Sequence, residues 1–103
     1  MREEVKAREV SIGILAARTA LIEALGRAME ERGLSQTAAA CILKTDQPTL
    51  SKVLRGRTAR VSLDKLTEWL LVLGCSVEIR VADEAAGRGH LQVKEVSYAD
   101  ARR

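Results

Sequence analysis

The sequence predicts a mainly α-helical domain of four to five helices, followed by a C-terminal β-strand or β-hairpin. Three observations carry this reading. Apolar residues recur at helical spacing as far as Gly74, in stretches punctuated by Gly33, Gly56 and Gly74. Beyond Gly74 the period shortens, with Val77, Ile79 and Val81 alternating with Ser76, Glu78 and Arg80, the pattern of a half-buried strand. Aromatic residues are nearly absent, Trp69 and Tyr98 standing alone without any Phe. A core of Leu, Ile, Val, Met and Ala suits packed helices better than a β-sandwich.

The first helical segment is expected from about Ile12 to Arg32, with Leu15, Ile22, Leu25 and Met29 along its apolar side and Arg18, Glu23, Arg27, Glu30 and Glu31 on other faces. Gly33 follows it, where a left-handed residue ends a helix. Ser35 is a good N-cap for a second segment, Gln36 to Leu43, whose Ala38, Ala39 and Ala40 favour the helix and permit close approach to a neighbour. Lys44-Thr45-Asp46 forms a break. A third segment then starts with Thr45 or Asp46 as cap and Pro48 in its first turn, where the missing N–H has no helical partner to lose. Leu50, Val53 and Leu54 should face inward, which leaves Gln47, Thr49, Ser51, Lys52 and Arg55 for the remaining faces before Gly56 stops the helix. The fourth segment has Ser62 as cap and Asp64 in its first turn, at the positive end of the helix dipole. Leu63, Leu66, Trp69, Leu70 and Leu73 give it an apolar stripe broad enough for the core and for a second surface. After the strand at residues 77–81, a glycine-containing loop from Asp83 to His90 leads to a second alternation at Leu91-Gln92-Val93-Lys94, so a hairpin is plausible. The organisation expected is a charged, mobile segment over residues 1–11, a helical domain over 12–74, a strand or hairpin over 75–98 and a tail at 99–103.

With 103 residues the chain has room for one core. No apolar run approaches the roughly 20 residues that span a bilayer, and the charged start Met1-Arg2-Glu3-Glu4-Val5-Lys6 is unlike a signal peptide, so a cytoplasmic location is expected. Cys41 and Cys75 lie far apart without Cys-x-x-Cys spacing and read as free thiols. Catalysis is disfavoured by the lack of a Ser/His/Asp set, a carboxylate pair in a cleft or metal-ligand spacing, with a single His in the chain. No cofactor or metal is implied. The net charge is +3, but Lys44, Lys52, Arg55, Arg57, Arg60 and Lys65 outweigh Asp46 and Asp64 to give +4 between residues 44 and 65, leaving −1 for the rest. Such a local surplus is the footprint of a polyanion-binding face.

Residues 35–56 therefore read as a short helix, a tight turn and a second helix whose outward side chains are polar or cationic. An α-helix fits the major groove of B-DNA, and its N-terminal half must carry groups that donate and accept toward base edges. Gln47 can bond adenine in pairs, Lys52 can reach guanine or phosphate, and Thr49 and Ser51 can contact bases or backbone. Gln36, opening the preceding helix, is placed to bond phosphate.

The run Leu34-Ser35-Gln36-Thr37-Ala38-Ala39-Ala40 and the run Asp46-Gln47-Pro48-Thr49-Leu50-Ser51-Lys52-Val53-Leu54-Arg55-Gly56 resemble the Xre family of helix-turn-helix regulators. The longer pattern through Ser62-Leu63-Asp64-Lys65-Leu66, Trp69-Leu70, Leu73-Gly74 and Val77-Glu78-Ile79-Arg80-Val81 is similar to the HigA-like antitoxin branch. The resemblance spans roughly Leu15 to Val81 and implies a lambda-repressor-like fold acting as a DNA-binding transcriptional repressor. By position it places base reading on Gln47, Pro48, Thr49 and Lys52, and phosphate contacts on Gln36, Ser51, Arg55 and Arg57, with Arg60 in the same loop. In one respect the chain departs from the family. Where members usually have Gly in the turn, it has Lys44, which must then accept positive φ at a cost of about 1 kcal/mol.

One short reading helix offers three or four base contacts, thin discrimination against a genome, so two copies on an inverted-repeat operator are expected. Val77, Ile79 and Val81, aided by Trp69 on the fourth segment, are the candidate joining surface, because a strand edge is a liability unless paired. The antitoxin resemblance implies a RelE-like toxin as a further partner. The competing readings are a free-standing repressor without a toxin, and a protein-interaction module that never touches DNA.

Overall fold

The computed structural model describes residues 2–83, 87 and 89–96, with side chains from residue 13 onward. Four helices occupy the described residues: α1 (Arg2–Glu31), α2 (Gln36–Leu43), α3 (Gln47–Leu54) and α4 (Leu63–Val72). The last three begin at the caps that the sequence marks. Ser35, Asp46 and Ser62 each have extended backbone and each accept, through a side-chain oxygen, the N–H three residues on. The first helix begins at Arg2, well before the expected start near Ile12. Residues 2–11 hold Arg, Glu, Lys, Val, Ala and Ser with no Gly or Pro, so nothing in the sequence stops the helix there.

One closing device recurs after every helix. After α1, Gly33 N–H donates to the Glu30 carbonyl and Leu34 N–H to Met29; after α3, Gly56 donates to Val53 and Arg57 to Lys52; after α4, Gly74 donates to Leu71 and Cys75 to Leu70. These paired bonds need a left-handed residue, and the three glycines supply it at φ 63°, 66° and 93°. After α2 the same bonds form, Lys44 N–H to Cys41 and Thr45 N–H to Ala40, but the left-handed residue is Lys44, at φ 57° and ψ 44°. Lys44 is the one non-glycine residue with positive φ among those described.

Leu25 of α1, Leu50 and Val53 of α3 and Leu66 of α4 are completely buried and form the centre of the core. Ala39, Ala40 and Leu43 of α2 close it from one side, where the small size of the two alanines lets α2 lie against α3 and α4. Two arginines, Arg18 within α1 and Arg32 directly after it, tie the far parts together. Arg32 donates from Nε to the Leu73 carbonyl at 2.6 Å, satisfying an orphan acceptor at the end of α4. Arg18 donates to the carbonyls of Val61 and Thr58, the latter at 2.6 Å, and so anchors the α3–α4 loop to α1.

Two expectations are corrected, and a third, the C-terminal strand, finds no support among the described residues. Leu15, assigned to the apolar side of the first helix, is 62% exposed, whereas Ala17 is buried. Trp69, expected to help join two copies, is 3% exposed within the chain's own core, with its indole N–H lacking an acceptor among the described residues. Residues 75–83 and 89–96 carry no strand. A strand exists through its ladder of inter-strand bonds, and among the described residues neither stretch has a ladder partner. Val77 is half-buried against the core, but Ile79 and Val81 are 82% and 95% exposed. The later stretch lies along α1, Arg27 pairing with Glu95 and Gly13 approaching the Leu91 side chain. The tail at 99–103, Tyr98 and loop positions 84–86 and 88 lie outside the described residues. No helix among the described residues is long and apolar enough to cross a membrane.

Candidate nucleic-acid interface

The interface is built from how α3 is seated. Leu50 and Val53, three residues apart on one side of the helix, are fully buried, and Leu54 is half-buried beside them. Burial of that side fixes the rotation of α3 and leaves the opposite side to solvent. Gln47, Pro48, Lys52 and Arg55 are exposed there, and Thr49 and Ser51 are partly so. The four positions expected to read bases thus lie on the exposed or partly exposed sides of α3.

The starts of α2 and α3 lie side by side. Gln47 Nε2 donates to Gln36 Oε1 at 2.7 Å, so the first residue of the second helix is held by the first residue of the one before it. This bond uses one hydrogen of the Gln47 amide and leaves its carbonyl and second hydrogen for a base edge. The Gln36 amide nitrogen remains a donor at the start of α2, where the helix dipole favours an anion.

The cap of α3 is tightly organised. The Asp46 carboxylate accepts the Thr49 backbone N–H on Oδ1 and the Thr49 hydroxyl on Oδ2, both at 2.8 Å. The backbone bond first, and then the hydroxyl, hold the Asp46 carboxyl below the usual carboxylate range, with the Lys52 charge adding in the same direction. Further along, Arg55 donates from Nη2 to Ser51 Oγ at 2.7 Å and from Nε to the Ser51 carbonyl at 3.3 Å. Ser51 and Arg55 therefore stand as a linked pair rather than as two independent phosphate contacts. Arg57 and Arg60 are exposed on the α3–α4 loop. That loop is held by Arg18 from below and by the Arg60 N–H bonding Thr58 Oγ1 at 3.1 Å.

Arg18, which positions the α3–α4 loop, is a residue that the sequence does not single out. In the sequence it is one more charged residue on a helix face, and no local signal marks it, since its acceptors lie some forty residues away. The expected joining residues are not brought together. Trp69 is in the core, Val77 is packed against it, and only Ile79 and Val81 face outward. The apolar surface that α4 does present is made by Leu71 and Val72, 53% and 51% exposed.

The arrangement offers one polar, cationic face with a helix projecting from it, suited to a duplex groove flanked by phosphates. Comparison with known proteins agrees. The model of a family described as a helix-turn-helix domain matches residues 10–82. Among solved structures, the chain is similar to one that carries the name of an XRE family transcriptional regulator, with 25% identity, a TM-score of 0.72 and coverage of 84% of this chain and 98% of that one. No curated protein matches the chain by sequence.

Proposed function

Because the chain belongs to the family of helix-turn-helix domains, we propose that it is a sequence-specific transcriptional repressor that binds an inverted-repeat operator as a homodimer. The observation that carries this is the seating of α3, which turns Leu50 and Val53 inward and Gln47, Thr49 and Lys52 outward on the face that also carries Arg55 and Arg57. Gln47, Pro48, Thr49 and Lys52 meet base edges; Gln36, Ser51, Arg55, Arg57 and Arg60 meet phosphates. Bound at a promoter, the dimer blocks polymerase sterically. A gel-shift with the DNA upstream of the protein's own reading frame tests this. Binding should be specific and fall steeply between about 50 and 200 mM salt as phosphate counterions are released. A flat salt response would falsify the polyanion-binding reading.

The dimer rests on the segment from Val77 to Val81. Ile79 and Val81 are almost bare in the single chain, and Leu71 and Val72 add apolar surface on α4. Pairing of this segment with its counterpart gives it the ladder it lacks alone and brings two α3 helices about one DNA turn apart. Ile79→Asp should therefore yield monomers that bind weakly. Stable dimers of that variant in analytical ultracentrifugation would remove the segment from the interface.

The resemblance to the HigA-like branch supports a second role as the antitoxin of a pair, binding a RelE-like toxin and repressing the shared operon. The neighbouring reading frame decides between this and a free-standing repressor: a small, basic, toxin-like product that co-purifies with the chain supports the pair, and an unrelated neighbour opposes it.

A further inference from the structure

The start of α3 has an unusual balance of donors and acceptors. A helix N-terminus ordinarily presents several unused N–H groups. Here Pro48 has no N–H, the Thr49 N–H goes to Asp46 Oδ1, and the Leu50 N–H goes to the Asp46 carbonyl, so of the first turn only the Gln47 N–H is left over. The Thr49 hydroxyl has also committed its proton, to Asp46 Oδ2 at 2.8 Å. A hydroxyl that donates to a carboxylate has only lone pairs left for an outside partner, and the bond strengthens it as an acceptor. Asp46 itself is exposed and, ionised, can only accept. Two neighbouring groups at the tip of the reading helix thus accept and do not donate.

We infer that Asp46 and Thr49 form an acceptor-only corner that selects, at one position of each operator half-site, a base bearing an exocyclic amino group over one bearing a keto group. In the major groove, adenine N6 and cytosine N4 offer hydrogens where thymine O4 and guanine O6 offer lone pairs. An amino base meets the corner with a hydrogen bond; a keto base sets acceptor against acceptor beside a negative charge. Asp46, a cap in the sequence reading, becomes a specificity-determining residue, and Thr49 acquires a sign. This inference rests on the proposed reading that α3 enters the groove.

The pair can be inverted chemically without losing the cap. Asn caps a helix as well as Asp, and in Asp46→Asn the amide oxygen can still accept the Thr49 N–H while its NH2 donates to Thr49 Oγ1. The hydroxyl proton is then released outward, and the corner gains donors. The experiment selects binding sites from a randomised duplex library with the full chain, Asp46→Asn and Thr49→Val, each checked for folding by the fluorescence of buried Trp69. The wild type should prefer adenine or cytosine about 5- to 150-fold at one half-site position. Asp46→Asn should lose or reverse that preference there while keeping the rest of the site, and Thr49→Val should weaken it severalfold. An unchanged profile for folded Asp46→Asn, or undiminished discrimination by Thr49→Val, overturns the proposal. Failure of the wild type to enrich any site would instead sink the DNA-binding reading beneath it.

Discussion

Lys44 holds the turn between α2 and α3 at φ 57° and ψ 44°, a conformation that glycine supplies at the other three helix ends. For a residue with a Cβ, the left-handed region costs roughly 1–2 kcal/mol. Replacing Lys44 by Gly removes that strain but frees the unfolded chain, which returns about 0.5–1 kcal/mol. Lys44→Gly also deletes one charge from the basic stretch, so Lys44→Ala is the proper reference: it deletes the same charge and keeps the strain. Glycine should therefore be more stable than alanine by about 1 kcal/mol, which for a domain of this size raises Tm by about 4–8 °C. Thermal and urea melts followed by far-UV circular dichroism and by fluorescence of Trp69, the sole Trp and 3% exposed, measure the difference. Because both variants lose one cation, their operator affinities should fall together, and any gap between them reports on the turn. If Lys44→Ala matches or exceeds Lys44→Gly in stability, the left-handed geometry is not stored strain, and the reasoning from φ fails.

Other perturbations separate the parts of the interface. Arg18→Ala removes two charge-assisted bonds to the α3–α4 loop and should cost about 1.5–3 kcal/mol per bond at most. It should also speed amide exchange at residues 58–61, and unaltered exchange there would show that Arg18 does not hold the loop. Lys52→Ala should relax base preference at its position, whereas Arg57→Ala should weaken all sequences alike and lower the salt slope by about 0.9. A uniform loss from both would place Lys52 on the backbone. The Asp46 carboxyl is held below its ordinary range by the Thr49 bonds. Its stabilising contribution is thus complete above the unfolded value and fades as pH falls through the folded one. As pH falls through the acid range below the ordinary carboxylate value, the wild type should lose more stability than Asp46→Asn, which does not titrate. Parallel losses in urea midpoints would contradict that.

Much of the fold was written locally. Ser35, Asp46 and Ser62 are short polar side chains that satisfy orphan N–H groups at the first turn, and glycines 33, 56 and 74 tolerate the backbone that closes one. Such signals act within five residues, so they are legible without knowing what packs on what. The spacing of Leu50, Val53 and Leu54 likewise orients α3 once a core is assumed, and with it the outward set Gln47, Thr49 and Lys52. Tertiary structure decided the rest, because it depends on residues distant in the chain. Trp69 lies on the same periodic stripe whether that stripe meets the chain's own helices or another molecule, and only the packing of the other helices on α4 puts it inside. The alternation at Val77, Ile79 and Val81 describes two faces of an extended chain but supplies no neighbour to bond with, and the described residues provide none. Arg18 reaches the α3–α4 loop only because the chain folds back on itself. The proton on Thr49 points to Asp46 for a reason of the first kind, a cap three residues away; which base it faces is a matter of the second.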